Sequence, residues 1–209
     1  MAHTADRRRK PNPRGAGSIL RDEIVEAATR LVEDRADPSG ITLRGVAREA
    51  GITAPSIYGH FDNLDAVMGA VVDRGFGNLA TSLEDALLTH DEPVPRLRAL
   101  CHAYVSFAVI NPRLYGLLFS QDKVASSRLV PKSVETMPGA HAFGLLVRAI
   151  EACVAVGRST SADPQHDATL LWTALHGYVS LLHSAPDFPW PSRDSMLDKC
   201  AERLACLRP

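Results

Sequence analysis

The sequence predicts an all-α protein, and three observations support this fold class. Apolar residues recur at helical spacing along most of the chain, for example at Leu20, Ile24, Ala27 and Leu31, as expected when one face of a helix is buried. Serine, threonine, aspartate, proline and glycine stand at the borders of these segments, where helices begin and end. The alternation of apolar and polar residues that is typical of strands does not persist anywhere.

Composition and length are those of an ordinary globular protein. The chain has 209 residues, of which 45% are hydrophobic and 22% charged, so one domain, or a small domain fused to a larger one, is expected. No apolar run approaches the roughly 18 residues of a membrane span, and no apolar signal-peptide core follows the basic start. We therefore expect a cytoplasmic protein without a membrane partner. The four cysteines form no CxxC pair, so neither a zinc ribbon nor a disulfide framework is indicated.

Positive charge is concentrated at the start of the chain, although the net charge of the whole is only -1. Residues 1–21 contain six basic residues and one acidic residue, a net charge of +5. Basic tails favour DNA phosphates through counterion release, and flexible arms can reach a minor groove. We expect residues 1–17 to be a flexible basic arm; the alternative is a solvated leader that serves only solubility.

Residues 41–61, ITLRGVAREAGITAPSIYGHF, predict two short helices joined by a tight turn. Thr42 is suited to cap a helix from about Leu43 to Ala50, and Gly51 to supply the left-handed residue that follows a helix end. Thr53 is expected to cap the second helix. The apolar residues are spaced to bury one face, and arginine, threonine, tyrosine and histidine are left outside. Such a segment is a helix-turn-helix, whose second helix enters the major groove of DNA.

The other helices are predicted from the same signals. A first helix is expected from about Ile19 to Arg35, and a fourth from Asp62 or Asn63 toward Leu88, interrupted by glycines at 75 and 77. Residues 120–138 have weak periodicity and are expected to form a loop. Five more helices are expected, namely one opening at 91–93 and broken at 111–112, then 113–119, 139–156, one from 163–164 to the break at 185–191, and 193–207. The helix-turn-helix domain then covers residues 18–62, and a helical regulatory domain covers 63–209.

Two motifs carry a resemblance to a known family. Tyr58-Gly59-His60-Phe61, following Gly51-Ile52-Thr53, closely resembles the Y-x-H-F ending of the recognition helix in TetR/AcrR-family regulators. The segment from Trp172 to Gly177 is similar to the W-x-x-x-H-G motif of one C-terminal domain class in that family, and Asn111-Pro112 with Tyr115 and Phe119 fits the same class. The resemblance implies a three-helix DNA-binding head, joined by a long helix to a helical bundle that binds ligands and dimerises, usually through its last two helices.

The function implied by this resemblance is that of a homodimeric transcriptional regulator. It would be a repressor that leaves a pseudo-palindromic operator in double-stranded DNA when a small apolar molecule binds the bundle. One position departs from the family pattern, because Leu64, with Asp62 and Asp65 beside it, replaces a lysine that often contacts phosphate. This departure gives the basic arm a larger expected share of the phosphate contacts.

The candidate DNA-contacting residues come from the arm and from both motif helices. Tyr58, His60 and Thr42 are expected at phosphates, which position a protein without reading the sequence. Arg44 is suited to a guanine, and apolar Ala54 and Pro55 to thymine methyl groups. The alternative is that Tyr58 and His60 are surface residues of a small core. The full set is Arg7, Arg8, Arg9, Lys10, Thr42, Arg44, Thr53, Ala54, Pro55, Ser56, Tyr58 and His60.

Two further sets are predicted in the bundle. Aromatic and polar-tipped side chains suited to an apolar cavity are Tyr104, Phe107, Tyr115, Phe119, Phe143, Trp172 and His176. The alternative for each of them is an ordinary place in the helical core. The outward faces of the last two helices would expose a large apolar patch, so we expect the dimer interface there. Its predicted residues are Leu171, Tyr178, Leu182, Met196, Cys200 and Leu204.

An enzyme is the competing class, and the sequence argues against it. The motifs GxxxxGK[ST], HExxH and GxSxG are absent. Gly15-x-Gly17 lacks the third glycine of a dinucleotide site. His176 and His183 have no further ligand at a recognisable spacing, so no catalytic residue, metal or cofactor is assigned. A regulator whose bundle only dimerises, without any ligand, remains an open alternative.

Overall fold

The computed structural model describes residues 17–34, 40–120 and 137–208. Within these ranges the chain forms nine helices, and the pairing between extended segments is limited to an isolated bridge between Ser159 and Leu207. The helices are α1 (Gly17–Asp34), α2 (Leu43–Glu49), α3 (Ala54–Ile57), α4 (Leu64–Leu87), α5 (Pro93–Ile110), α6 (Pro112–Phe119), α7 (Ala140–Ala155), α8 (Pro164–Ser184) and α9 (Arg193–Leu204). The all-α prediction is confirmed. None of these helices is both long enough and apolar enough to cross a membrane.

Two of the sequence predictions lie partly or wholly outside the described residues. These are the basic arm with Arg7, Arg8, Arg9 and Lys10, and most of the loop expected at 120–138. Another prediction is corrected, because α4 runs without interruption through Gly75 and Gly77.

The described chain forms two compact units. The first contains α1 to α3, α4 up to Gly75, and α6; the second contains α4 from Phe76 onward, α5, and α7 to α9. The division therefore runs through α4, whereas the sequence suggested a boundary at residue 62.

In the first unit, α1 supplies the centre of the core. Its residues Ile24 and Val32 are completely buried, as are Val46 of α2 and Ile57 of α3, and α1 packs against both α2 and α6. Burying one such side chain contributes about 1.5–3 kcal/mol. The helix-turn-helix is therefore held by its apolar face against α1, and its polar face is left outside.

The end of α1 also holds the start of α6. Glu33 Oε1 accepts a hydrogen bond from the backbone N–H of Leu114 at 2.9 Å, which satisfies one of the free N–H groups at the start of α6. The Arg113 guanidinium donates to the backbone carbonyl of Glu33. On its other side α6 lies against α4 at Gly75, where an added Cβ would stand 2.7 Å from Leu118 Cδ2. Glycine at this position permits the close approach of α4 and α6.

In the second unit, α5 is the central helix and packs against α7, α8 and α9. Leu97 and Leu100 of α5 and Leu171 and Leu175 of α8 are almost completely buried. The end of the chain closes on the connection between α7 and α8, where the Ser159 hydroxyl donates to the carbonyl of Ala205 at 2.7 Å.

Candidate nucleic-acid interface

The first helix of the helix-turn-helix begins and ends as the sequence predicts. Thr42 has an extended backbone, with φ -132° and ψ 154°, and its hydroxyl oxygen accepts a hydrogen bond from the N–H of Gly45 at 3.1 Å. Gly51 has φ +68°. The N–H of Gly51 donates to the carbonyl of Arg48, and that of Ile52 to the carbonyl of Ala47, which is the Schellman end of a helix. Both the cap at Thr42 and the left-handed glycine are confirmed.

The second helix begins differently from the prediction. Thr53 stands at the N-cap position, but its hydroxyl makes no bond to the backbone and instead lies 2.8 Å from the Ser56 hydroxyl. The physical reason is Pro55, which has no N–H to offer at the second helical position. The next N–H, that of Ser56, already donates to the Thr53 carbonyl at 2.9 Å. The Thr53 and Ser56 hydroxyls are therefore paired with each other, and each retains capacity for two further partners.

The recognition helix is short and continues as a hydrogen-bonded turn. The N–H groups of His60 and Phe61 both donate to the carbonyl of Ile57, at 2.8 and 3.0 Å. Ile57 and Phe61 are buried at 0% and 4% exposure, whereas Tyr58 is 61% exposed. Two buried side chains therefore fix a turn that presents Tyr58 outward. Pro55 is also exposed, and Ala54, Ser56 and His60 are half-buried.

Three arginines of the first unit differ in their acidic partners. Arg30 pairs with Glu49 at 2.9 Å and with Glu26 at 3.0 Å, and the hydrogen bond to Glu49 raises the pKa of Arg30. Arg44 and Arg48, four residues apart on α2, are exposed and form no ion pair within the described ranges. Sequence reasoning selected Arg44 and missed Arg48, although a spacing of four places both on one helix face. Two arginines of the predicted DNA-binding segment therefore have no acidic partner among the described residues.

The start of α4 follows directly after the helix-turn-helix. Asn63 Oδ1 accepts from the N–H of Ala66 at 2.8 Å, so Asn63 caps the helix. Leu64 is half-buried and Asp62 and Asp65 are exposed. The side chains at this helix start therefore add negative charge and no cation.

In the second unit, four of the predicted ligand residues meet. Trp172 Nε1 donates to the Tyr104 hydroxyl at 3.1 Å. The Trp172 ring meets Phe143 edge to face at 6.1 Å and His176 at 6.3 Å between ring centres. Burial lowers the pKa of His176, so the neutral imidazole is favoured at neutral pH. We call these four residues the ring cluster.

The other predicted ligand residues lie elsewhere. Phe107 lines an open pocket of about 450 Å³ between α4 and α5, and the sequence did not indicate its polar wall of Asn78, Ser82, Ser106 and Asn111. Tyr115 and Phe119 belong to α6, in the first unit, with ring centres 4.9 Å apart.

The six residues predicted at the dimer interface differ in how deeply the single chain buries them. Leu171 is 0% and Tyr178 7% exposed, and Tyr178 packs edge to face on Trp190. Both are therefore core residues of the single chain, which corrects their assignment to an interface. Leu182, Met196, Cys200 and Leu204 are half-buried. The exposed leucines of α8 are Leu170 and Leu181.

The comparisons with known proteins agree with the class that this geometry defines, a helix-turn-helix protein with a helical C-terminal region. Residues 24–71 match the family described as "Bacterial regulatory proteins, tetR family", and residues 97–205 match "Tetracyclin repressor-like, C-terminal domain". The chain belongs to the TetR family of transcriptional regulators. Members of this family are not enzymes.

Individual relatives are more distant. The chain is 31% identical over 102 residues to the uncharacterized HTH-type transcriptional regulator YobS of Bacillus subtilis, covering 48% of this chain and 52% of YobS. It is 29% identical over 137 residues to the HTH-type transcriptional activator FasR of Mycolicibacterium smegmatis, covering 62% of each. The chain thus spans less than two thirds of these curated relatives. A solved structure of a protein with unknown function from Rhodococcus sp. RHA1 is 25% identical, with a TM-score of 0.75 over 94% of this chain and 97% of that chain.

Proposed function

We propose that this chain is a homodimeric transcriptional regulator that binds a pseudo-palindromic site in double-stranded DNA. The observation that carries the proposal is the helix-turn-helix itself, in which a buried apolar face fixes Arg44, Arg48 and Tyr58 on the outside. A short helix with small residues at its start, here half-buried Ala54 and exposed Pro55, fits the floor of a major groove.

The test is selection of binding sites from a random-sequence duplex library with the full chain. A dimer should recover two inverted half-sites whose centres are about 34–36 Å apart or a further helical turn away. Arg44→Ala should relax the base preference at one position in each half-site, because a bidentate arginine–guanine contact discriminates by about 1–3 kcal/mol. Recovery of no symmetric site at any salt concentration would rule out the proposal.

The proposed sign of regulation is repression. The FasR relative is named as an activator, so the sign needs its own measurement. A reporter placed behind the selected site should become more active when this chain is absent. A reporter that becomes less active would show an activator.

The proposed regulatory input is a small apolar molecule bound at the ring cluster, with the motif residues Trp172 and His176 as part of its wall. The same proposal includes membership of the C-terminal class with the W-x-x-x-H-G motif. The support is the edge-to-face packing of Trp172 with Phe143 and the Trp172–Tyr104 hydrogen bond. A few polar groups among aromatic rings are typical of small-molecule sites.

A neutral apolar fluorescent probe, 1-N-phenylnaphthylamine, tests this site. Binding should be weakened in Phe143→Ala and unchanged in Phe188→Ala, whose exposed ring lies near Trp190 and outside the ring cluster. Bound probe should also reduce affinity for the selected duplex. Equal probe binding by both variants, or none by the wild type, would favour a regulator that needs no ligand.

The proposed dimer surface includes the exposed face of α8 around Leu170 and Leu181. These residues are about three helical turns apart, with Gly177 between them on the same face, where an added Cβ would meet no atom within 4 Å. The face therefore leaves room for a second helix. Leu181→Glu should give a monomer by sedimentation, and a persisting dimer would place the interface elsewhere.

A further inference from the structure

We propose that Arg21 is a further DNA-contacting residue, which binds a backbone phosphate beside the end of the helix-turn-helix. This inference rests on the proposed DNA-binding function. The guanidinium carbon of Arg21 lies 4.7 Å from the centre of the Phe61 ring, within the range of a cation–π contact. Arg21 belongs to the second turn of α1. Its contact with Phe61 therefore places a positive charge beside the last residue of the helix-turn-helix.

The Phe61 ring is a fixed platform for this cation. It is 4% exposed, and the Phe61 N–H donates to the carbonyl of Ile57 in the recognition helix. The Arg21 side chain itself is exposed. A guanidinium stacked on a ring keeps its N–H edge available for an oxygen anion, and the stack limits the rotamer freedom that binding would otherwise cost. The arginine is therefore held in place before DNA arrives.

Among the described residues, the acidic groups near Arg21 do not pair with it. Its neighbour Asp22 is held by Arg74, whose guanidinium lies 3.3 Å from Asp22 Oδ1 and also donates to the Asp22 carbonyl at 3.2 Å. Within the described ranges Arg21 forms no ion pair. Asp62 and Asp65 follow Phe61 with exposed carboxylates. An unpaired cation on Phe61 offsets their repulsion of a phosphate, whereas Arg30 and Arg74 are already neutralised.

The experiment measures DNA affinity of the full chain as a function of salt concentration, using the selected duplex and sheared genomic DNA. Arg21→Gln removes the charge, and Arg21→Lys retains it. Arg30→Gln is the matched control, because Arg30 is also an exposed arginine of α1 but is paired with Glu26 and Glu49. Thermal unfolding of each variant reports whether the first unit still folds.

For Arg21→Gln we expect roughly tenfold weaker binding to both duplexes and a salt slope smaller by about 0.9, the contribution of one phosphate. Arg21→Lys should keep the slope and lose part of the affinity, and Arg30→Gln should keep both. An unchanged slope in Arg21→Gln would overturn the proposal even if affinity fell, since Arg21 would then serve only the packing of Phe61. If Arg44→Ala still relaxed the base preference in that case, the proposed function would stand. If the wild type selected no symmetric site, both the proposed function and the proposed role of Arg21 would be ruled out.

Discussion

The helix-turn-helix and the ring cluster use side chains in opposite ways. In the helix-turn-helix the buried residues are apolar, and Arg44, Arg48 and Tyr58 point outward with no acidic partner within the described ranges. In the ring cluster polar groups of the aromatic side chains bind each other, as in the Trp172–Tyr104 hydrogen bond. A surface of the first kind is available to a large partner without rearrangement. A cluster of the second kind has already used part of its hydrogen-bonding capacity within the protein.

This difference makes separate measurements of the two regions possible. Trp172 and Trp190 are the two tryptophans of the chain, and both belong to the second unit. Their fluorescence therefore reports on the second unit, while DNA binding reports on the helix-turn-helix.

The largest expected effect is that of Ile57→Ala. Ile57 is completely buried, and removing such a side chain costs about 2–5 kcal/mol of unfolding free energy. Since this buried side chain also holds the start of the turn that carries Tyr58 against the core, we expect DNA binding to be lost in a gel-shift assay. Tryptophan fluorescence should remain native. A variant that binds DNA normally would show that the outward residues need no rigid core behind them.

The second effect concerns two glycines of α4 that belong to different units. A Cβ on Gly75 would stand 2.7 Å from Leu118 Cδ2 and 3.2 Å from Leu114 Cδ1, whereas a Cβ on Gly77 would meet nothing within 4 Å. Gly75→Ala should destabilise the first unit by about 1–3 kcal/mol through overpacking. Gly77→Ala should stabilise α4 by about 0.5–1 kcal/mol.

Urea unfolding followed by circular dichroism gives both values. Equal effects of the two substitutions would mean that Leu118 moves freely, and that the contact between α4 and α6 does not constrain the first unit.

A smaller effect is expected at Gly51, whose φ of +68° costs an ordinary residue about 1–2 kcal/mol. Gly51→Ala should lower the unfolding free energy of the first unit by that amount. Gly59→Ala is the matched control, because Gly59 does not have a positive φ and its Cβ would make an ordinary contact at 3.7 Å. The control should be neutral or stabilising by about 0.4–1 kcal/mol. Destabilisation of the control by the same amount would assign the effect to the turn in general and not to the left-handed backbone.

The sequence predicts the fold and the helix ends where the cause is local. Thr42 and Gly51 act through their own backbone and near neighbours, so both were predictable. Thr53 was not, because the effect of Pro55 two residues later decides where its hydroxyl bonds. In α8 a shift of one residue separates buried Leu171 from exposed Leu170, and periodicity alone does not say which face the neighbouring helices cover. Arg21 is not predictable as a DNA contact from the sequence, since its contact with Phe61 joins residues distant in the chain.

The smallest effect is a pH dependence from His176. Burial lowers its pKa from the ordinary value of 6.5, so the unfolded chain binds the proton more readily than the folded one. The unfolding free energy is therefore fully retained above pH 6.5 and falls as the pH decreases toward the lower pKa of the folded state. His176→Gln should lose less stability than the wild type between pH 7.5 and 5.5, measured by urea unfolding with circular dichroism. His90→Gln, at an exposed position of the second unit, should behave like the wild type. If His176→Gln also lost as much stability as the wild type, its imidazole would be reached by water in the folded chain, and the ring cluster would be an open surface like the helix-turn-helix.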